Sequence, residues 1–439
     1  MKRIVLYIII LAGWYQHGIC QEPMRLQDCL EIGLENNYAL QVVRNLEESA
    51  HNDVTWGNAG FLPTLDASAS YQGALDNTDY KYRESGETLS QNGVYDQTMN
   101  VGLSLNWSLF DGFRILSNYK RLKELEQQGE INTRIAIEDY IANLTAVYYN
   151  LVQQKIRLKN LAYAVSLSKE RLRIVEERYN IGNFSRLDLL QARVDFNADS
   201  ATYMKQQEVL YSARIELNEL MSDQDIDQYI VVSDSIINVN MLLHFEELWN
   251  ATLMSNASLL KAEQNSTLAE LDFKMVSSRD YPYVRFSTGY GYTFNKYNVG
   301  TYERRSNLGL NAGLTVGFRI FDGNRKRERQ NARIVIDNAR LQRQELELSL
   351  RADISNLWQA YRNNIELVYL ERENLTAARE NHEIAVERYM LGDLSGIEMR
   401  EAQKSLLDAE ERILTAEYDT KLCEISLLQI SGMVTRYLE

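Results

Sequence analysis

The chain has 439 residues, a quarter of them charged, with 47 Lys and Arg against 61 Asp and Glu for a formal net charge of −14. That acidity argues against nucleic acid and against an anionic lipid surface as partners. Three cysteines exclude a disulfide scaffold, and only three prolines, Pro23, Pro63 and Pro282, leave room for very long helices.

At the N-terminus, Lys2 and Arg3 precede an apolar run from Ile4 to Ala12 and a small-x-small pattern at Gly18 and Cys20. This is the pattern of a cleaved secretory signal over residues 1–20, which leaves a mature chain two charges more negative. The apolar run is short of the ~20 residues a spanning helix needs, so an uncleaved anchor is the weaker reading. Cys20 is an alternative lipidation position, although Ile19 before it is a poor match to the small residue such sites prefer. No later stretch approaches 18 apolar residues, so membrane residence has to come from strands. Cys29 and Cys423 read as two buried thiols, with a disulfide as the alternative.

Pro63 opens the first β segment. A weak alternation runs from about Thr64 to Tyr82 through Ala67, Ala69 and Tyr71. A strict one follows in TMNVGLSLNWSLFDGFR: Met99, Val101, Leu103, Leu105, Trp107 and Leu109 alternate with Asn100, Gly102, Ser104, Asn106 and Ser108. A period of two predicts strands with one apolar and one polar face, and about 9–11 tilted residues suffice to cross a bilayer. Phe110 ends the strand, Asp111 is placed as a helix N-cap, and Gly112 relieves the turn. From there to about Asn180 one helix of roughly 100 Å is expected at 1.5 Å per residue. Leu144, Val147, Leu151, Leu158, Leu161, Val165, Leu172, Val175 and Tyr179 form its 3-4 stripe, interrupted by Gln154 and Ser168. Gly182 ends it, and Ser185 caps a returning helix.

The same plan then recurs. LENNYAL (from Leu34) echoes LMSNASL (from Leu253) and Pro63 matches Pro282, both at an offset of 219. LSLNWSLFDGFR matches LTVGFRIFDGNR at 211, and ERYNIGNFS matches ERYMLGDLS at 210. The drop of eight falls between the strands and predicts a longer loop in the first hairpin. In the second copy Val284, Phe286, Thr288, Tyr290, Tyr292 and Phe294 alternate with polar and glycine residues, as do Leu308, Leu310, Ala312, Leu314, Val316, Phe318 and Ile320. Phe321, Asp322 and Gly323 repeat the junction. The stripe keeps its phase through Ile354, Leu357, Tyr361, Val368, Leu375, Ala378, Ala385 and Tyr389, with Asn364, Glu371 and His382 at stripe positions. Gly392 and Ser395 repeat the turn.

The expected organisation is therefore a first repeat at 21–222 (β-hairpin about 63–110, helical hairpin about 111–220), an equatorial linker at 223–244, and a second repeat at 245–439 (β-hairpin about 281–321, helical hairpin about 322–431). The fold class is mainly α with membrane β. Four strands cannot close a barrel, and an open edge in lipid costs several kcal/mol per unpaired backbone group, so several chains must pool their strands. Three copies would give twelve. Tyr290, Tyr292, Phe294 and Trp107 fit a lipid-facing aromatic band, or otherwise a soluble core stripe.

The duplicated plan, the strand-FDG-helix junctions at Phe110 to Gly112 and Phe321 to Gly323, and the RY-x-x-G turns at Arg178 to Gly182 and Arg388 to Gly392 resemble the TolC-like outer-membrane efflux protein family. The resemblance implies a homotrimer: a twelve-stranded barrel in outer-membrane lipid continuing into a long periplasmic α-helical barrel. It further implies a passive exit duct of a tripartite efflux or type I secretion system, joined through a periplasmic adaptor protein to an inner-membrane transporter of the RND or ABC type, without covalent chemistry or cofactors. A periplasmic adaptor would lack two membrane-length aromatic hairpins, and a secreted coiled-coil protein would leave the strands without a role.

No enzyme motif competes. His17, His51, His244 and His382 are far apart, no Cys partners stand at metal-ligand spacing, and GDLSG at Gly392 has the wrong spacing for a nucleophile elbow. The turns carrying Tyr179, Gly182 and Ser185, and Tyr389, Gly392 and Ser395, are the expected adaptor-docking tips, because small residues allow close approach. The resemblance also places acidic residues six and nine positions past the second glycine at the periplasmic aperture, which here are Glu398 and Glu401. Set three apart on one helix face, they would form two rings under threefold symmetry. The alternative is an ordinary solvated helix face neutralised by Arg388 and Arg400. The exported substrate is left open by the sequence.

Overall fold

The computed structural model describes residues 23–83, 85–299 and 302–438, so the signal segment and Cys20 lie outside the described residues. In chain order the elements are α1 (Leu26–Asn36), α2 (Tyr38–Asp53), α3 (Trp56–Ala59), β1 (Thr64–Lys81), β2 (Thr88–Phe110), α4 (Arg114–Asn180), α5 (Arg186–Met221), α6 (Phe245–Ser255), α7 (Ala257–Ser277), β3 (Tyr283–Lys296), β4 (Arg304–Gly317), α8 (Arg325–Leu391) and α9 (Gly396–Ile430). Short 3₁₀ turns occupy Ser278–Asp280 and Val434–Leu438. Two compact units cut across the repeats: one takes the chain up to Arg44, Thr133–Leu259 and Glu345 onward, the other Asn45–Asn132 and Leu260–Gln344. No described helix is long and apolar enough to cross a membrane.

The second unit holds an antiparallel sheet in the order β1-β2-β3-β4. The alternation seen in the sequence sets its two faces. Met99, Val101, Leu103 and Trp107 of β2 lie opposite Phe294, Tyr292, Tyr290 and Phe286 of β3. Tyr292, Tyr290 and Phe286 in turn lie opposite Leu308, Leu310 and Leu314 of β4. This apolar face has no covering layer: Leu310 is 74% exposed and Tyr290 52%. The opposite face is polar and cross-linked by hydroxyls, with Thr98 Oγ1 donating to Asn295 Oδ1 (2.9 Å) and Thr293 Oγ1 to Asn100 Oδ1 (2.8 Å).

Three sequence expectations change here. The eight extra residues of the first hairpin lengthen its strands, not its loop: β1 and β2 have 18 and 23 residues against 14 each for β3 and β4, while the loops span 82–87 and 297–303. Secondly, β4 stops at Gly317 instead of Phe321. Gly317 pairs with Tyr283, and Pro282 before it has no N–H to continue the ladder. Thirdly, the two FDG junctions differ. Asp111 accepts the Ile115 N–H (3.1 Å), and Gly112 takes φ +69 where a Cβ would lie 2.2 Å from the Ser278 carbonyl oxygen. Asp322 likewise accepts the Asn324 N–H (3.0 Å), but Gly323 has no positive φ and relieves nothing.

The first unit is held by the long helices. Leu144, Val147, Leu151 and Val175 of the α4 stripe and Ile354, Tyr361, Val368, Ala385 and Tyr389 of α8 are buried, each large apolar side chain contributing about 1.5–3 kcal/mol. The polar stripe positions Gln154, Ser168, Glu371 and His382 are buried too. Gln154 accepts from Gln206 (2.8 Å), and Glu371 accepts from Arg412 (3.0 Å). The segment after α5 joins this core through Ile230, Val232 and Ile237. Close by, Lys421 and Glu424 pair at 2.8 Å while buried, and Tyr437 and the Asn240 N–H donate to the same carboxylate. Cys29 is a buried free thiol, pushed up to about 12 by burial, and Cys423 is free and half-buried.

Candidate functional site

The two helical turns are built alike. The Gly182 N–H donates to the Tyr179 carbonyl (3.0 Å) and the Asn183 N–H to the Arg178 carbonyl (2.9 Å). Gly392 and Asp393 repeat both bonds to Tyr389 (3.2 Å) and Arg388 (2.9 Å). This six-to-one, five-to-two closure needs a left-handed residue, and the glycines supply φ +85 and +89. Nothing lies within 4 Å of a Cβ built at either glycine, so backbone conformation rather than space requires them.

Each returning helix opens with a capping box. Ser185 Oγ accepts the Asp188 N–H (3.2 Å), and the Asp188 carboxylate accepts from the Ser185 N–H (3.0 Å) and Oγ (2.7 Å). Ser395 and Glu398 do the same at 3.3, 3.0 and 2.7 Å. The Ser395 hydroxyl and amide, with the charge of Arg388 adding to them, hold the Glu398 carboxyl below its ordinary pKa. One Glu398 oxygen is therefore committed to the cap. The S-x-x-E signature at Ser395–Glu398 was present in the sequence and announced this role.

The turns share a sequence but not an environment. Tyr179 is 38% exposed whereas Tyr389 is 2% exposed, with burial pushing its phenol up and its hydroxyl unpartnered. Arg178 reaches from the first turn to the second, donating to the Met390 carbonyl (3.0 Å) with its guanidinium 5.4 Å from the Phe184 ring and 5.7 Å from the Tyr389 ring. Behind the turns, buried Arg171 pairs with Asp195, and Arg400 makes two 2.7 Å bonds to Asp199, which also accepts from Ser168. Arg400 thus points into the first hairpin rather than toward the two glutamates. A cavity of about 260 Å³ lies among Arg171, Asp188, Tyr389, Ile397, Arg400 and Glu401. The structure brings Tyr389 and Glu401 to this cavity, while Glu398 and Ser395 stay at the exposed cap. Asp188 follows the local S-x-x-D cap pattern at Ser185, whereas Asp195, Asp199 and Arg171 were missed, because an ion pair between two packed helices, 24 residues apart for Arg171 and Asp195 and 201 for Asp199 and Arg400, leaves no local signal.

Large apolar side chains surround both turns. Ile181, Leu187, Leu391 and Ile397 are all more than 70% exposed. Among the described residues, no group of His, Cys, Asp and Glu could hold a metal ion.

A family model described as outer membrane efflux protein matches residues 30–222 and 248–433. The chain is 22% identical to the outer membrane efflux protein BepC of Brucella suis over 455 aligned positions, covering 99% of this chain and 91% of that protein. It is 19% identical to the outer membrane protein TolC of Vibrio cholerae, covering 99% and 96%. The structure superposes on the Campylobacter jejuni CmeC outer membrane channel with a TM-score of 0.76 at 19% identity, covering 93% of this chain and 85% of that one.

Proposed function

The chain belongs to the outer membrane efflux protein family and is an exit duct of the outer membrane that extends into the periplasm; from that premise we propose that three copies close one twelve-stranded barrel and that the helical tips dock a periplasmic adaptor. The observation that carries the trimer is the sheet: β1 and β4 are each paired on one side only, and the apolar face is uncovered. Those open edges are intolerable in hydrocarbon until β4 of one copy meets β1 of the next, antiparallel as every other pair is. Exposed Tyr38, Val42 and Leu46, four apart on α2, and Leu341 and Leu348 on α8 offer further apolar surface to neighbouring copies. Light scattering in mild detergent tests this: a trimer mass is expected, and a monodisperse monomer overturns it.

Docking at the tips is supported by four exposed apolar side chains flanking two turns that have free space around their glycines. An adaptor with an apolar helical hairpin of its own would bury them. The adaptor couples the duct to an inner-membrane transporter, which supplies energy and selects cargo. Charge for the aperture comes from Glu401, exposed beside the tip cavity, and from Glu398, kept ionised by its cap. Replacing Leu391 and Ile397 with Asp should abolish adaptor pull-down while leaving the trimer intact; unchanged pull-down would remove the tips as the docking site.

A further inference from the structure

The apolar face of the sheet does not end at its last aromatic. One rung past Phe294 and Ser306, on the same face as Tyr290, Tyr292, Leu308 and Leu310, Lys296 stands directly opposite Arg304. Both are exposed, and neither forms an ion pair among the described residues. On the other side of Lys296 stands Gln97, which is uncharged. Two cations directly opposite in an antiparallel pair repel one another, so the ladder bears a cost here that an anion between the two side chains would remove.

Their height identifies the anion. In a duct whose helices extend into the periplasm, the rung of Tyr283 and Gly317 next to the helices is the periplasmic one, so Lys296 and Arg304 are at the outer end of β3 and β4. From Val284 to Phe294 the strand covers roughly 33 Å at about 3.3 Å per residue, which a tilt of about 40° reduces to a rise of about 25 Å, the height of the apolar band of a barrel. The pair therefore stands at the level of the outer-leaflet headgroups, facing away from the lumen, and long cationic side chains reach headgroups readily. Because the chain is acidic as a whole, any attraction to anionic lipid has to be local. Arg offers a planar fork and Lys a point charge, a combination suited to phosphate oxygens.

We propose that Lys296 and Arg304 bind the phosphate of a phosphorylated glycolipid headgroup in the outer leaflet, one site per chain. The inference rests on the reading that this apolar face meets lipid in a closed trimer. The test is native mass spectrometry of the detergent-purified full chain with a diphosphorylated lipid A probe, with trimer mass read in the same spectrum. Binding is expected to weaken roughly tenfold in Lys296→Gln and in Arg304→Gln, and to be retained in Lys296→Arg. The dephosphorylated probe should bind as poorly as the double variant. Trimers whose glycolipid binding ignores both substitutions, or ignores loss of the phosphate, overturn this inference alone. Equal competition by phosphatidylglycerol or by inorganic phosphate overturns the glycolipid assignment. A chain that stays monomeric overturns the barrel reading and this site with it.

Discussion

Arg400 of α9 holds Asp199 of α5 by two parallel hydrogen bonds of 2.7 Å, while Ser168 of α4 donates to the same carboxylate. Three helices from both repeats thus meet at one charge, and the bonds and charge of Asp199 outweigh burial in raising the Arg400 pKa. Asp199→Asn keeps the shape and removes the charge, leaving a half-buried guanidinium without its partner. The expected loss is about 2 kcal/mol, read as roughly thirtyfold lower amide-exchange protection near the tips. Unchanged protection would show that the pair does not tie the hairpins.

The tip glycines separate strain from docking. With φ near +85 to +90 and open space around them, Gly182→Ala and Gly392→Ala should each cost about 1 kcal/mol, and Leu hardly more than Ala. Bulk matters only when a partner approaches. Paired Leu substitutions should therefore abolish export at unchanged trimer yield; export that survives at normal protein levels removes the tips from docking.

Glu398 and Glu401 should make the pore cation-selective. Like charges ~7 Å apart repel by about 2–3 kcal/mol at an effective dielectric near 20, and cations relieve that repulsion. Glutamine is the informative replacement, because alanine at 398 would also delete the cap. In planar bilayers, Glu398→Gln with Glu401→Gln should reduce both the reversal potential and multivalent cation block. Since the cap lowers the Glu398 pKa, its charge should survive acidification to below the ordinary glutamate value of about 4.3. If neither property changes in the double variant, these glutamates lie away from the aperture.

His382 should make the packing of α8 acid-sensitive. Burial depresses its pKa, and its Nε2 has no partner. The unfolded chain then binds the proton more readily, so stability is complete above about pH 6.5 and is lost as pH falls from there toward the folded pKa. His382→Leu, which installs the residue found at Leu172 in the first repeat, should flatten this slope and add about 1 kcal/mol or more. Thermal melts at pH 5.5 and 7.5 decide it: an equal slope in wild type and variant would assign the acid response elsewhere.

The sequence displayed whatever was periodic. The period-two runs located every strand, and the heptad phase held even across Gln154, Ser168, Glu371 and His382, since burial there follows helix geometry rather than hydrophobicity. What stayed hidden depends on a second segment. β4 ends at Gly317 because the next rung would set Phe318 opposite Pro282, Gly112 is obligatory because Ser278 passes close by, and Arg400 faces Asp199 rather than its neighbouring glutamates. The cap role of Glu398 is the exception, local and readable.

Gly182 and Gly392 lie in turns that read almost alike, yet Tyr179 stands in solvent while Tyr389 is sealed. The chain repeats its own plan, and its chemistry does not obey the repeat. A ring of three such chains would carry six tips in two alternating sets, sixfold in outline and threefold in detail. Any ring of six identical adaptor hairpins meeting it would have to bind in two conformations, so half of its contacts could be lost by a substitution that leaves the other half untouched.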